Sequence, residues 1–418
     1  MYFRIFALFV TSLSLTTMVA NYLRMVRGAV LLLCLPLAKS TTSSFSLPSL
    51  PSFSLPFFGN GGLVREKPIP LPSSPVSRDL EIGVPLGLGT WAWGNQLLWG
   101  YDPENDAELQ AAFNAAVDAG VTFFDTGDSY GTGKLEGRAE ELLGRFRAEY
   151  PGPPEKAARL VFGTKLATYP WRVTAGSMES ALLASLERLG GGGGDSGAAE
   201  AAESVELMQL HWSAANYAPW QEPGLRAGLV QCYDKGLAQA VGASNYGPVQ
   251  LRSLHAALAE RGVPLASNQV QFSLLSRQPL ESGLFDVCAE LGVVPIGYSP
   301  LALGLLSGKF NGDPDHDAPL LPRGPRGLLF KQILPGTRPL LAQLERTAAA
   351  RGKSVAQVAI NWSICKGAVP IVGAKSVRQV KENLGAVGWR LTEEQVADLD
   401  AAAAAVPKGA TQNIFQTS

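Results

Sequence analysis

Four residues in the middle of the chain have the types and the placement that proton transfer needs: Asp125, Tyr130, Lys165 and His211. Asp125 closes the run FFD, Lys165 closes VFGTK and His211 closes LMQLH, so each of these polar groups ends a short apolar stretch. Tyr130 follows Asp125 through the turn TGDSYG, which can fold back over the same opening. A free tyrosine, with a pKa of about 10, is a weak acid and a weaker base at neutral pH. An ammonium beside the phenol is expected to lower that value, and a carboxylate would hold the ammonium in place. Taken singly, Asp125 reads as a turn cap, Lys165 as a solvated strand end, His211 as a core ring with satisfied nitrogens, and Tyr130 as a loop aromatic. Convergence on one opening is what would make the four a proton relay.

Convergence needs elements that end in one place. From residue 86 onward, short apolar runs alternate with longer amphipathic or Ala-rich stretches, the pattern of strand-helix units around a parallel sheet. Strands are expected at 86–90, 121–125, 160–165, 205–211, 238–243, 266–271, 294–298 and 369–372. Helices are expected at 105–119, 136–149, 177–189, 224–235, 249–260, 282–291, 355–366 and 377–384. Eight such strands suggest an α/β fold closed into a single (β/α)8 TIM barrel with long loops at its C-terminal face. An open doubly wound sheet fits the same alternation, but no GxGxxG opens a helix after the first strand. Two stretches break the rhythm. The Gly-rich segment 190–204 reads as a surface insertion on the face away from the strand C-termini, and the Pro- and Gly-rich segment 311–338 as a long loop and candidate lid after the seventh strand.

Composition narrows the partners. Over 418 residues the formal net charge is −1, with Lys and Arg scattered, so no basic stripe for nucleic acid is present. Cys34, Cys232, Cys288 and Cys365 have no metal-ligand spacing and are too sparse for a disulfide framework. His211, His255 and His316 form no ligand pair, and no metal is expected. No Asp or Glu precedes Glu66, whereas Arg4, Arg24, Arg27, Lys39 and Arg65 do, which is the bias of an organelle-targeting segment. The apolar run 1–20, ending in MVA, reads alternatively as a secretory signal, and the patch 28–38 is short of the ~20 residues of a membrane span. The expected organisation is a targeting leader over 1–44, a Ser/Pro/Gly-rich linker over 45–79 and a folded body over 80–418. Membrane association is expected only if the leader is retained, and these residues carry no signal of oligomeric state.

The chemistry-bearing segments resemble the aldo-keto reductase family: FFDTGDSYGTGKLEGRAEELLG over 123–144, VFGTK over 161–165 and LMQLHW over 207–212. GASNYG (242–247), NQVQFSLLSR (268–277), GYSPLALGLLSGK (297–309) and IVGAKSVRQVKENLGA (371–386) extend the likeness through the body. GPRGLLFKQILPG and the ending QNIFQTS look most like the plastid oxidoreductase branch of plants and algae, in agreement with the acid-free leader. The resemblance implies reduction of a small aldehyde or ketone by NADPH, with Tyr130 as general acid, Lys165 and Asp125 tuning it, and His211 orienting the carbonyl. It implies Ser244, Asn245 and Gln269 at the nicotinamide carboxamide and Tyr298 stacked on its ring. Ser299, Leu301, Leu303 and Lys309, with Pro300 and Gly304 in the same segment, would run along the pyrophosphate, covered by the 311–338 loop and its Arg326. Gly373, Lys375, Gln379, Glu382 and Asn383 would hold the adenosine end, and a cation at Lys375 facing a 2′-phosphate would favour NADP over NAD. Trp91, Trp99 and Trp212 are the candidates for an aromatic substrate pocket. The implied location is the plastid stroma after leader removal, with the secretory pathway as the alternative. A cofactor-sensing regulatory module with little turnover is the second functional class that the same residues allow.

Overall fold

The structure, a computed structural model, describes residues 67–74, 79–133, 136–190, 201–310, 321–322, 325–407 and 417. The expected leader 1–44, linker residues 45–66 and 75–78, insertion residues 191–200 and loop residues 311–320 and 323–324 lie outside the described residues. Two short strands, β1 (Ile69–Leu71) and β2 (Leu80–Ile82), pair antiparallel, and eight parallel strands follow. These are β3 (Gly87–Gly89), β4 (Phe123–Asp125), β5 (Val161–Leu166), β6 (Val205–Leu210), β7 (Ala238–Ser244), β8 (Leu265–Gln271), β9 (Val294–Tyr298) and β10 (Val369–Gly373). They pair in chain order, and β10 bonds to both β9 and β3, so the sheet closes into the TIM barrel and the open-sheet alternative falls away. Every barrel strand lies within two residues of its expected position.

Side chains alternate across a strand, so each strand sends one phase of its residues into the barrel. The lower interior layer is apolar: Phe123, Val161, Leu207, Ala240, Ile296 and Ile371 cluster together. Glycines make room for the largest of these. A Cβ at Gly87 or Gly163 would stand 2.5 or 2.8 Å from the Phe123 ring. One step further along the same phase the residues become polar: Asp125 after Phe123, Lys165 after Gly163, Gln209 after Leu207 and Gln269 after Ser267. The period-two pattern that seals the base of the barrel thus delivers the reactive residues to its top.

Two expectations need correction. The linker was expected to run to residue 79, yet β1 falls inside it and pairs with β2, and Leu71, Leu80 and Ile82 are buried against the lower barrel layer. Prolines at 68, 70 and 72 disguised a strand that uses one edge only, where a missing N–H costs nothing. Residues 325–338, the second half of the expected 311–338 loop, belong instead to the helix Pro325–Arg351, which takes in Pro335 and Pro339. Phe330, Ile333, Leu334, Leu340, Leu341 and Leu344 are all buried, at the three- and four-residue spacing of a helix face. Their burial outweighs the hydrogen bonds lost at the two prolines, which cost ~3 kcal/mol each in an isolated helix interior.

Local signals set other helix ends. Capping boxes start Ala175–Leu189 (Thr174 with Ser177), Val355–Cys365 (Ser354 with Gln357) and Glu393–Ala404 (Thr392 with Gln395). Behind β5, the fully buried Glu140 of helix Arg138–Ala148 accepts from the Thr164 hydroxyl and, at 2.7 Å, from Arg188 Nε. That network ties two helices to the strand carrying Lys165. Among the described residues no helix is long and apolar enough to cross a membrane.

Candidate active site

Lys165, on β5, is held by the end of β4. Its Nζ donates to Asp125 Oδ1 and to the Thr126 carbonyl, each at 2.6 Å, with its side chain 1% exposed. Gln269 Nε2 donates to the same Asp125 oxygen at 2.7 Å. Burial raises the Asp125 carboxyl above its usual range, opposed by the Lys165 charge and by hydrogen bonds from Lys165 and Gln269. Burial likewise lowers Lys165, opposed by Asp125. The pair therefore offsets a cost that either charge alone could not bear.

Tyr130 stands beside this pair, with Lys165 Nζ 4.8 Å from its ring centroid and the His211 ring edge-on at 5.8 Å. Its phenol departs from the expected direction. Burial pushes it well above the ordinary 10, and the charges of Asp125, Tyr298 and Asp128 add to the rise. The Lys165 ammonium, bonded to Asp125 and to the Thr126 carbonyl, does not offset that rise in the resting site. His211 is held well below 6.5, first by burial and then by the charges of Lys165 and Arg172, and its Nδ1 is buried with no hydrogen-bond partner among the described residues. The phenol is thus held protonated and the imidazole neutral.

The turn that carries Tyr130 is pinned by residues that sequence reading passed over. Asp128 accepts from the Ala167 amide at 3.2 Å and pairs with Arg172, whose Nη1 also donates to the Ala167 carbonyl at 2.7 Å. The Asp128 amide donates to the Lys165 carbonyl at 3.0 Å. Arg172 lies over the Tyr169 ring at 5.1 Å. From there a series of rings lines the loops after β5 and β6: Tyr169 stacked on Trp171 at 4.7 Å, Trp212 edge-on to Tyr169, and His211 5.0 Å from Trp212. Trp212 Nε1 bonds to the Tyr217 hydroxyl, and Trp171, Tyr217 and Trp220 are exposed. TYPW (168–171) and NYAPW (216–220) lie on the loops after two strands of a barrel, which is the signal that could have placed them at the mouth.

On the opposite side, Asn245 links strand ends. Its Nδ2 donates to the His211 carbonyl and to Ser244 Oγ, both at 3.1 Å, and its Oδ1 accepts from the Tyr298 hydroxyl at 3.0 Å. The non-glycine residues with left-handed backbone among the described residues are Asn245 (φ 62°), Ser299 (54°), Ala302 (46°) and Leu303 (60°). All lie on the two loops that the resemblance gives to the cofactor, and such backbone costs roughly 1–3 kcal/mol per residue. Pro300, Leu301 and Gly304 share the second loop, whose Lys309 is exposed. Beyond β10, Gln379 Oε1 accepts from the Lys375 amide at 2.7 Å and Asn383 Nδ2 reaches the Gly373 carbonyl at 3.5 Å. Glu382 is occupied elsewhere, accepting from Ser354, the N-cap of the preceding helix Val355–Cys365.

The first loop meets this end of the site. Lys375 Nζ donates to the Trp99 carbonyl at 3.0 Å, and the Arg326 guanidinium lies 4.8 Å over the Trp99 ring, which is edge-on to Trp91. Burial and then the Arg326 charge hold the Lys375 ammonium below its usual value. Neither cation makes an ion pair with a described carboxylate. Two half-buried cations placed together without a carboxylate ion pair can hold an anionic group such as a phosphate. Trp99, on the first loop, thus contacts both of these cations, while Trp212 packs beside His211. Among the described residues no three His, Cys, Asp or Glu side chains gather as metal ligands.

The geometry agrees with what the chain is similar to. Residues 85–404 match the model of the aldo/keto reductase family. A protein of Arabidopsis thaliana described as pyridoxal reductase, chloroplastic, is 51% identical over 355 residues, covering 84% of this chain and 93% of that one. L-glyceraldehyde 3-phosphate reductase of Escherichia coli O157:H7 is 31% identical over 325 residues, covering 75% and 87%. A solved glycerol dehydrogenase of Gluconobacter oxydans superposes with a TM-score of 0.63 over 83% of this chain and 99% of that one, at 24% identity, which is a likeness of fold. With the family model matched over most of the barrel and its strand-end residues gathered at one mouth, the chain belongs to the aldo/keto reductase family.

Proposed function

We propose that the chain reduces an aldehyde or ketone to an alcohol with NADPH, using Tyr130 as the proton donor. The observation that carries this reading is the single mouth at which Lys165, Asp125 and His211 surround Tyr130, whose hydroxyl has no partner among the described residues. The cofactor supplies the hydride. Tyr130 gives its proton to the carbonyl oxygen, and the nearby Lys165 ammonium stabilises the phenolate left behind, an effect larger in the transition state than before it. Neutral His211 orients the carbonyl oxygen. Asp125, itself bonded by Gln269, keeps Lys165 charged and in place. The aromatic walls at Tyr169, Trp171 and Trp212, together with the name of the Arabidopsis relative, make a flat heteroaromatic aldehyde such as pyridoxal the first substrate to offer. The chloroplastic description of that relative and the acid-free leader support residence in the plastid stroma.

Steady-state NADPH consumption by the purified chain, over a panel of pyridoxal, benzaldehyde, aliphatic aldehydes and ketones, tests the reading. Tight NADPH binding with no turnover on any of them would favour the regulatory alternative. The protonation states add a pH profile. A general acid must hold its proton, and the Tyr130 phenol is pushed above 10 while His211 is held below 6.5, so kcat for reduction should stay level between these values. An inflection near pH 6.5 would mean that His211 titrates in the reaction. For the cofactor, Lys375→Ala should raise the KM for NADPH by roughly 10- to 100-fold, the worth of a charge-assisted hydrogen bond, and leave the KM for NADH nearly unchanged. Equal losses for both would remove Lys375 from 2′-phosphate selection.

A further inference from the structure

Thr417 lies against the Asn245 turn. It is 2% exposed, and it makes two hydrogen bonds there: its amide donates to the Asn245 carbonyl at 3.1 Å, and its Oγ1 accepts from the Gly247 amide at 2.9 Å. Together these bonds bracket residues 245–247 like a rung added to a strand. The turn needs such support, because Asn245 holds a left-handed backbone with φ 62° and no glycine's freedom. On its inner side the Asn245 amide donates to the Gln269 carbonyl at 2.8 Å, and its side chain joins the His211 carbonyl to the Tyr298 hydroxyl. A shift of this turn would therefore move three positions that face the mouth.

We infer that Thr417 is a positioning residue: it clamps the turn 245–247 from outside and so sets Asn245, His211 and Tyr298 for the nicotinamide end of the cofactor. This inference rests on the reading of those residues as the cofactor side of a reductase site. The clamp acts through hydrogen bonds to backbone, and its hydroxyl contributes one of the two, so a hydroxyl-bearing replacement should serve and an isosteric apolar one should not.

The test uses the full chain with Thr417→Val and Thr417→Ser, read by hydrogen exchange of the 245–247 amides, by NADPH affinity from tryptophan quenching, and by kcat and KM. In Thr417→Val the Gly247 amide loses its acceptor and should exchange faster, and NADPH should bind roughly fivefold more weakly, the worth of one hydrogen bond. Thr417→Ser should restore both. Faster exchange with unchanged NADPH affinity and kcat/KM would make Thr417 an anchor for the end of the chain only, and would overturn the inference. Unchanged exchange would overturn it as well. Failure of the unsubstituted chain to bind NADPH would instead overturn the reading of the site on which the inference rests, a result distinguishable because it appears before any substitution is made.

Discussion

Tyr130→Phe is expected to lower kcat for carbonyl reduction by two to four orders of magnitude, roughly the contribution of a positioned general acid, while leaving NADPH affinity unchanged. The substitution removes one oxygen and little else. The ring stays against His211 and over Lys165, and no described residue loses a hydrogen-bond partner, so no buried group is orphaned and the fold should keep its stability. Steady-state kinetics beside a fluorescence titration of NADPH would check both halves. A variant that retains more than a tenth of the rate would take the proton-donor role away from Tyr130.

Lys165→Met should act on stability and on rate together. The ammonium is buried between Asp125 and the Thr126 carbonyl, and its removal leaves the Asp125 carboxylate in the barrel with only the Gln269 amide as donor. Breaking a buried pair from one side costs about 3–5 kcal/mol, measurable by denaturant unfolding. Catalysis should fall as well, since no charge remains to stabilise the Tyr130 phenolate. The double variant Asp125→Leu with Lys165→Met separates the two effects, because replacing both partners by apolar groups removes the orphaned charge. It should regain most of the lost stability and none of the lost activity. Activity returning with stability would mean that the pair is structural support and nothing more.

The barrel and three of its central residues, Asp125, Lys165 and His211, were legible because the same two-residue period governs both, and Tyr130 was legible from the Gly-rich turn that follows Asp125. Phe123 and Asp125, or Gly163 and Lys165, occupy one phase of one strand, so a reader who finds the apolar run also finds what stands at its end. The elements that escaped are those where local composition opposed a distant partner. Prolines around Ile69–Leu71 look like linker until β2 supplies the pairing, and Pro335 and Pro339 look like loop until Phe330, Leu334 and Leu341 find a core to enter. The same limit applies to Asp128 with Arg172 and to Thr417 with Gly247, pairs made only by folding. The direction of the Tyr130 shift escaped for a related reason. Proximity to Lys165 was readable, but the prior claim of Asp125 and Thr126 on that ammonium was not.

The account turns on hydride moving from NADPH to a carbonyl carbon in this mouth, and isotope transfer tests that most directly. The purified chain would be given NADPH carrying deuterium at the transferable C4 position, with pyridoxal and a panel of aromatic aldehydes, and the product alcohol examined by mass spectrometry and NMR. The account predicts one deuterium on the former carbonyl carbon of a turned-over substrate, and its loss with Tyr130→Phe. NADPH bound without any alcohol formed, or alcohol formed without deuterium at that carbon, would contradict it.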